Sequence, residues 1–259
     1  MEFKYIAKQA DHNGFIQFSD EENETWNILI NRQDKVVAEF ACQEYLDGLD
    51  ILNMPRDRVP QCADINKVLH ARTGWSVAPV DAVIPQSKFF KMLANKEFPA
   101  ASFIRRRQDL DYLPEPDIFH EFYGHCPLLT NQAYADFVEW YGKSALEADK
   151  KGQKILTRLF WFTIEFGLIQ HNNKIKVYGG GILSSKEETI YAATSDIPQR
   201  IPLDELQALR TPYRYDEIQK LYYTIDSMQD LYRIQKMNLL ELLEQAHIHG
   251  DIEPAFVLC

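Results

Sequence analysis

Residues 114–127 read PEPDIFHEFYGHCP, and this stretch decides how the whole sequence is interpreted. It holds two histidines, His120 and His125, which would point about 140° apart on a regular α-helix of about 3.6 residues per turn. Gly124 tolerates a local distortion of the backbone, and Pro127 disfavours continuation of the helix. We therefore predict that the helix ends or distorts between the two histidines, so that both imidazoles approach one point.

A third candidate ligand lies in residues 155–169, ILTRLFWFTIEFGLI. This helical segment is apolar nearly all round, so Glu165 is expected to be buried. A buried carboxylate is costly unless it is paired or binds a metal, and Arg158, two turns earlier, is the alternative partner. Two imidazoles and one carboxylate form the facial triad that suits non-haem iron(II) and leaves coordination positions open. The sequence thus predicts that His120, His125 and Glu165 bind one metal ion.

Composition narrows the class of protein. The 259 residues are 46% hydrophobic and carry a formal charge of −10, which argues against a general affinity for nucleic acid or for an anionic membrane. The amino-terminal stretch is polar, and no apolar run approaches the roughly 18 residues that span a bilayer. The four cysteines are scattered without a C-x-x-C pair, which favours reduced thiols in the cytoplasm.

Hydrophobic periodicity predicts a mainly α-helical fold with a few short β-strands. Residues 174–183 alternate and then run into three glycines, which indicates a strand that enters a tight bend. No repeat or long linker divides the chain, so we expect a single catalytic domain over residues 24–259, preceded by an extension, residues 1–23, that is partly disordered. Helices are predicted over residues 24–49, 132–150, 153–170 and 215–245.

Three motifs in order resemble the pterin-dependent aromatic amino acid hydroxylases. Residues 116–129, PDIFHEFYGHCPLL, resemble the iron-binding signature of that family. Residues 161–168, WFTIEFGL, are similar to the segment that carries the family's glutamate ligand, and residues 178–185, YGGGILSS, match its glycine-rich stretch beside the amino acid site. The likeness extends over residues 26–241 and implies the single-domain catalytic fold of this family.

The resemblance also implies an amino acid site. Arg105 would grip the substrate carboxylate, a choice that the residues alone could not make among three consecutive arginines. Leu113 stands near the substrate backbone, where the animal enzymes usually carry threonine. Trp161, Phe166 and Pro116 would line the pocket for the aromatic ring, and Ser184 would contact the bound amino acid. For Trp161 and Phe166, plain core packing is the alternative.

A pterin site follows from the same resemblance. The pterin ring would stack on Phe89, with backbone contacts from a loop that contains Ala82, Ile84 and Gln86. Glu121, beside the first histidine, would form hydrogen bonds in the pterin and water region and is counted with the catalytic residues. These contacts are expectations from the family match and not from spacing.

The function implied is a monooxygenase that uses iron(II), O2 and tetrahydrobiopterin or a related tetrahydropterin to convert L-phenylalanine to L-tyrosine. Hydroxylation of tryptophan or tyrosine is the nearer alternative. A zinc metallohydrolase is a remote one, because the H-E-x-x-H motif places its histidines four positions apart and this chain places them five apart. An amino acid sensor without catalysis would require loss of ligands, and all three are present.

The carboxyl-terminal region bears on assembly. The animal enzymes of this family form tetramers through a long heptad-bearing helix. This chain shows no sustained heptad repeat after residue 245. We therefore expect a monomer or a homodimer and not a tetramer of the animal type.

Overall fold

The structure is a computed structural model that describes residues 5–80, 84–111, 113, 115–172 and 174–255. Within these ranges helix dominates. The α-helices are α1 (Asp20–Phe40), α2 (Gln43–Leu52), α3 (Cys62–Arg72), α4 (Gln86–Ala94), α5 (Gln132–Glu147), α6 (Lys150–Phe160), α7 (Gly180–Leu183), α8 (Lys186–Thr194), α9 (Glu205–Arg210), α10 (Gln229–Gln235) and α11 (Leu239–His249). None of the helices in the described ranges is long and apolar enough to cross a membrane.

Strands are short and form two small sheets. They are β1 (Ser76–Val80), β2 (Glu97–Ala101), β3 (Leu168–His171), β4 (Lys174–Val177), β5 (Gln199–Pro202) and β6 (Leu221–Ile225). The first sheet pairs β1 with β2 in parallel. The second has the order β4-β3-β6-β5, in which β3 and β4 are antiparallel and the other pairs are parallel. The predicted fold class, mainly α with a few short strands, is confirmed.

The core collects side chains from almost the whole chain, from Ile16 to Ala246. The described part of the amino-terminal extension takes part in packing, because Phe18 enters the core and Tyr5 stacks on Phe103 at a ring-centroid distance of 4.9 Å. Two π-helical segments, His120–His125 and Trp161–Glu165, lie in this core. Together with α7 they position the candidate site.

The long helix predicted over residues 24–49 is wrong. Helix α1 begins earlier, where the side chains of Ser19 and Glu22 each accept a backbone N–H of the other in a capping box. It ends at Phe40, and α2 begins after a break. At that break the N–H of Cys42 donates to the carbonyl oxygen of Val177 at 2.9 Å. A tertiary hydrogen bond to β4 therefore separates α1 from α2, although the hydrophobic pattern is helical on both sides of the break.

Other predicted helices were too long. The helix over residues 132–150 ends at Glu147, the one over 153–170 ends at Glu165 before β3, and residues 215–245 contain β6. All five residues of β6, LYYTI, are buried, which is typical of a central strand with β-branched and aromatic side chains. The bend after β4 is the short helix α7 rather than an irregular turn.

Candidate active site

The first π-helical segment brings the two histidines together. The N–H of Cys126 donates to the carbonyl oxygen of Glu121 at 3.3 Å, which is the i to i+5 spacing of a π-helix. Because this turn is wider than an α-helical turn, residues five apart come to one face. The Nε2 atoms of His120 and His125 lie 3.1 Å apart. The predicted distortion is confirmed, although the helix widens and does not end between them.

Gly124 has a different role from the one expected. A Cβ atom at this position would lie 2.5 Å from the carbonyl oxygen of Gly180, so the absence of a side chain permits close approach of α7. At Gly180 a Cβ atom would lie 2.4 Å from Nδ1 of His125. These two glycines let α7 lie directly on the histidine-bearing segment. The requirement is tertiary packing and not backbone freedom.

The second π-helical segment positions Glu165. The N–H of Phe166 donates to the carbonyl oxygen of Trp161 at 2.8 Å. The Glu165 carboxylate lies 3.7 Å from Nε2 of His120 and 3.3 Å from Nε2 of His125. Arg158, the alternative partner, instead forms an ion pair with Asp251 at 2.7 Å. That alternative is therefore wrong, and Glu165 lies against the histidine pair.

The distances among these donors suit one metal ion. Neighbouring ligands of an octahedral ion with bonds of about 2.1 Å lie about 3 Å apart, close to the 3.1 to 3.7 Å found here. The Ser184 hydroxyl donates to the carbonyl oxygen of Gly181 at 3.2 Å and lies 3.0 Å from Nδ1 of His120. With its proton used, the hydroxyl accepts from Nδ1–H, and this tautomer leaves Nε2 of His120 as a free electron-pair donor.

Two carboxylates flank the histidines. A carboxylate oxygen of Glu121 and one ligand atom of each histidine lie within 4.8 Å of one another. Burial and repulsion by the Glu165 and Asp117 carboxylates raise the pKa of Glu121 well above its usual value. Burial also acts to raise the pKa of Glu165, but the two histidines outweigh it and lower that pKa. Glu165 is therefore the ionised carboxylate of the cluster.

Burial has the opposite consequence for an imidazole. It lowers the pKa of His120 to about 4, although the Glu165 carboxylate acts to raise it. The ring is consequently neutral near pH 7, which is the form that binds metals. His125 is fully buried, with its ring 4.9 Å from that of Phe98.

A cavity of about 570 Å³ opens beside this cluster. His120 and Glu165 form part of its wall, so the donor cluster faces the cavity. All six residues predicted for the amino acid site are brought together on the same wall. They are Arg105, Leu113, Pro116, Trp161, Phe166 and Ser184.

Arg105 is distinguished from its neighbours by burial. Its side chain is 8% exposed, whereas Arg106 and Arg107 are exposed. Its Nε and Nη2 atoms donate to the two carboxylate oxygens of Asp117 at 2.8 and 2.9 Å. Asp117 also accepts the backbone N–H of His120 at 3.0 Å, so it connects the guanidinium to the metal cluster. Asp117 lies within the histidine motif, but the sequence alone indicated no role for it.

Burial acts to raise the pKa of Asp117, but the Arg105 guanidinium and the backbone N–H groups of Arg105 and His120 outweigh it and lower the pKa below its usual value. The pair is thus ionised and bidentate, which fixes the plane of the guanidinium. Ser184 is placed on His120, as described above, and its expected contact with a bound amino acid stays a prediction.

A second, smaller cavity has a volume of about 180 Å³. Phe89 and Gln86 line it, and Trp161 and Glu165 belong to the walls of both cavities. Of the other residues expected at a pterin, Ala82 lies outside the described residues. Ile84 and Glu121 are not among the described residues that line either cavity, so their pterin contacts stay predictions.

Several known proteins are similar to this chain in sequence and in structure. A phenylalanine-4-hydroxylase of Vibrio cholerae is 48% identical over 98% of this chain and 88% of its own length. The apo structure of the cold-active phenylalanine hydroxylase of Colwellia psychrerythraea superposes with a TM-score of 0.94, at 47% identity over 96% of this chain and 97% of that one. The Chromobacterium violaceum phenylalanine hydroxylase with bound oxidised Fe(III) superposes with a TM-score of 0.89, at 39% identity over 97% of this chain and 94% of that one.

The family model agrees with these relatives. The model of the biopterin-dependent aromatic amino acid hydroxylases matches residues 1–246, which is nearly the whole chain. The donor cluster and the cavity are therefore found on a chain that is similar to these enzymes from end to end. This protein belongs to the biopterin-dependent aromatic amino acid hydroxylase family.

Proposed function

We propose that this protein is an iron(II)-dependent monooxygenase that hydroxylates L-phenylalanine to L-tyrosine, with O2 and tetrahydrobiopterin or a related tetrahydropterin as cosubstrates. The observation that carries the proposal is the convergence of His120, His125 and Glu165 on the wall of a cavity that also holds Arg105. Relatives at up to 48% identity are named phenylalanine-4-hydroxylase, which supports the choice of substrate.

The metal would be held by Nε2 of each histidine and by the Glu165 carboxylate. When bound, iron(II) supplies the oxygen-activating chemistry together with the reduced pterin. The chain's own contribution is to supply only three ligands, so that coordination positions stay open. Because His120 and Glu165 line the cavity, we infer that these positions face the substrates.

The amino acid would be oriented at its two ends. The guanidinium of Arg105, held in plane by Asp117, is placed to bind the carboxylate. Trp161 and Phe166 stack on each other with ring centroids 4.3 Å apart and offer an apolar wall to the aromatic ring. Pro116 and Leu113 extend that wall. A ring bound against this wall would share the cavity with His120 and Glu165, the residues that would hold the metal.

The pterin would occupy the smaller cavity against Phe89. That ring packs edge-on against Phe160 at 5.2 Å and is half-buried, which leaves part of it available for stacking. The two cavities have Trp161 and Glu165 in common, so ligands in both would lie on either side of the same carboxylate-bearing segment. The residues that the two cavities share support simultaneous binding of the amino acid and the pterin near one metal.

Compartment and assembly belong to the same proposal. Cys42, Cys62 and Cys126 are free thiols, which supports a reducing compartment, and we propose the cytoplasm. The expected assembly is a monomer or a homodimer. Size-exclusion chromatography with light scattering distinguishes these from a tetramer.

Product analysis tests the proposed function. The iron-loaded protein is incubated in air with a tetrahydropterin and, separately, with phenylalanine, tyrosine or tryptophan, and the products are identified by mass. We expect tyrosine from phenylalanine, with no product when iron or pterin is omitted. Preferred turnover of tryptophan or tyrosine would overturn the choice of substrate. Stoichiometric zinc with a hydrolytic activity that is indifferent to pterin would overturn the reaction class.

A further inference from the structure

We propose that Gln219 is a positioning residue that ties the aromatic wall of the amino acid pocket to the pocket's rim loop, residues 213–218, and thereby sets the width of the pocket. The inference rests on the proposed function for its substrate. Its structural basis is a single buried amide that joins two parts of the wall. Gln219 lies just before β6, far in sequence from the metal-binding motifs.

The Gln219 side chain makes three hydrogen bonds. Its Oε1 atom accepts the indole N–H of Trp161 at 3.1 Å. Its Nε2 atom donates to the carbonyl oxygens of Arg214 at 2.7 Å and of Glu217 at 3.0 Å. The residue is 7% exposed, so these bonds are shielded from water. One amide thus holds the indole on one side and two carbonyl groups of the rim loop on the other.

The indole of Trp161 is also held by ring stacking. It lies between Phe166 and Tyr213, with centroid distances of 4.3 and 4.2 Å and interplanar angles of 26° and 15°. Stacking restrains the tilt of a ring but leaves rotation within its own plane weakly restrained. The directional bond to Gln219 supplies that restraint. The edge of the indole that faces the cavity is therefore fixed by this one hydrogen bond.

The rim loop covers the same cavity. Tyr215, Asp216 and Glu217 line it, yet Tyr215 is 64% exposed and contributes little packing. The backbone N–H of Gln219 donates to the buried Glu188 carboxylate at 3.3 Å, which fixes the end of the loop. Tyr213 stacks on Trp161 at the start of the loop, whereas Tyr215 and Asp216 in its middle are exposed. Segments with few buried contacts open easily, so the bonds from the amide to the loop carbonyls have a large share in keeping the middle of the loop closed.

Because the amide both accepts and donates hydrogen bonds, substitutions can separate its bond to Trp161 from its bonds to the rim loop. Glutamine both accepts and donates, whereas an ionised glutamate only accepts and leucine does neither. Gln219→Glu keeps the acceptor for Trp161 and removes the donors to the rim loop. Gln219→Leu removes both the acceptor and the donors while the side chain keeps a similar volume. Gln229→Leu, at an exposed position on α10, is the matched control.

The experiment uses the iron-loaded full chain. For Gln219→Glu we expect the KM for phenylalanine to rise about tenfold with kcat within about twofold, because substrate binding is weakened and the metal ligands are untouched. For Gln219→Leu we expect the same rise, and in addition the preference for phenylalanine over tryptophan, as a ratio of kcat/KM, falls about tenfold because the indole can turn and widen the pocket. Hydrogen exchange of peptides covering residues 213–218 accelerates in both variants.

Several outcomes would overturn the inference. Unchanged KM, selectivity and loop exchange in either folded, iron-loaded Gln219 variant would do so. So would a loss of kcat, iron and thermal stability in parallel, without a shift in selectivity, since that is the mark of a merely structural residue. If Gln219→Leu does not fold, Gln219→Glu carries the test. If the unmodified protein does not hydroxylate phenylalanine, the proposed function fails, and loop exchange still tests the tie between Gln219 and the rim loop.

Discussion

The two π-helical segments build one metal cluster but face different surroundings. In the segment His120–His125 every residue after the first is buried, and α7 packs directly against it. In the segment Trp161–Glu165 the first and last residues are half-buried and line both cavities. His120, the first residue of the first segment, also lines the larger cavity, but the rest of that segment is enclosed by packing, whereas the second segment places Glu165 on the walls of both cavities. In both segments the wide π-helical turn brings residues five positions apart onto one face, where an α-helical turn would separate them.

This difference implies different tolerance to change. The buried segment is packed closely against the backbone of α7, so we expect added volume there to lower the free energy of unfolding. Glu165 is half-buried and lines the cavity, so we expect added volume beside its carboxylate to displace the side chain and weaken metal binding.

The largest effect is expected at the rigid segment. His125→Ala removes a fully buried ligand, and we expect loss of bound iron and a fall in hydroxylation of at least about 1,000-fold, since two ligands hold such an ion poorly. His70→Ala, at an exposed position on α3, is the matched control. Metal analysis after gel filtration and product formation are the measurements. Stoichiometric iron in the folded His125 variant would contradict the ligand assignment.

A pair of glycine variants sharpens the comparison. In Gly180→Ala the new Cβ atom would lie 2.4 Å from the His125 ring, and we expect a loss of about 2 kcal/mol in the free energy of unfolding. In Gly181→Ala it would lie 2.7 Å from Oε2 of Glu165, and we expect a smaller loss of stability with a clear loss of iron affinity. Denaturant unfolding of the apo proteins and iron titrations measure the two effects. Equal stability losses in both variants would contradict the proposed difference between the segments.

The smallest effect is expected at the hydroxyl that orients the first histidine. Ser184→Ala removes the partner of Nδ1 of His120, at 3.0 Å, and we expect iron affinity to fall about tenfold while the fold is kept. Competition with a chelator measures this change. Ser185→Ala removes the N-cap of α8 instead, so it serves as a neighbouring control that lowers stability without changing iron affinity. An unchanged affinity in Ser184→Ala would show that the tautomer of His120 is fixed in another way.

The sequence predicted the fold class and a distorted helix at the histidines, but not the bounds of the helices. The spacing of His120 and His125 predicted a distorted helix, which the structure shows. The apolar surroundings of Glu165 predicted a buried carboxylate, whereas Glu165 is half-buried because it lines the cavity. The type of distortion was not predictable, because a π turn depends on the segment that packs against it. Gly124 illustrates this, since its neighbour is the backbone of Gly180, 56 positions later in the chain.

The rest of the site depends on contacts between distant parts of the chain. Asp117 lies within the motif, but its pairing with Arg105 depends on the turn that brings the two side chains together. Gln219 lies in a region that was predicted to be helical, and no local pattern marks it. Strand β6 was missed because five buried residues show neither alternation nor a helical period that a single sequence can resolve.

The most direct test of the account is a comparison of the two carboxylates beside the histidines. Glu165→Gln and Glu121→Gln are purified side by side, loaded with iron(II), and analysed for iron per chain and for hydroxylation of phenylalanine. We expect Glu165→Gln to lose bound iron and activity and Glu121→Gln to keep about one iron per chain. Of these two carboxylates, Glu165 is the one that is ionised and lies against both Nε2 atoms. Stoichiometric iron in Glu165→Gln together with loss of iron in Glu121→Gln would contradict this expectation.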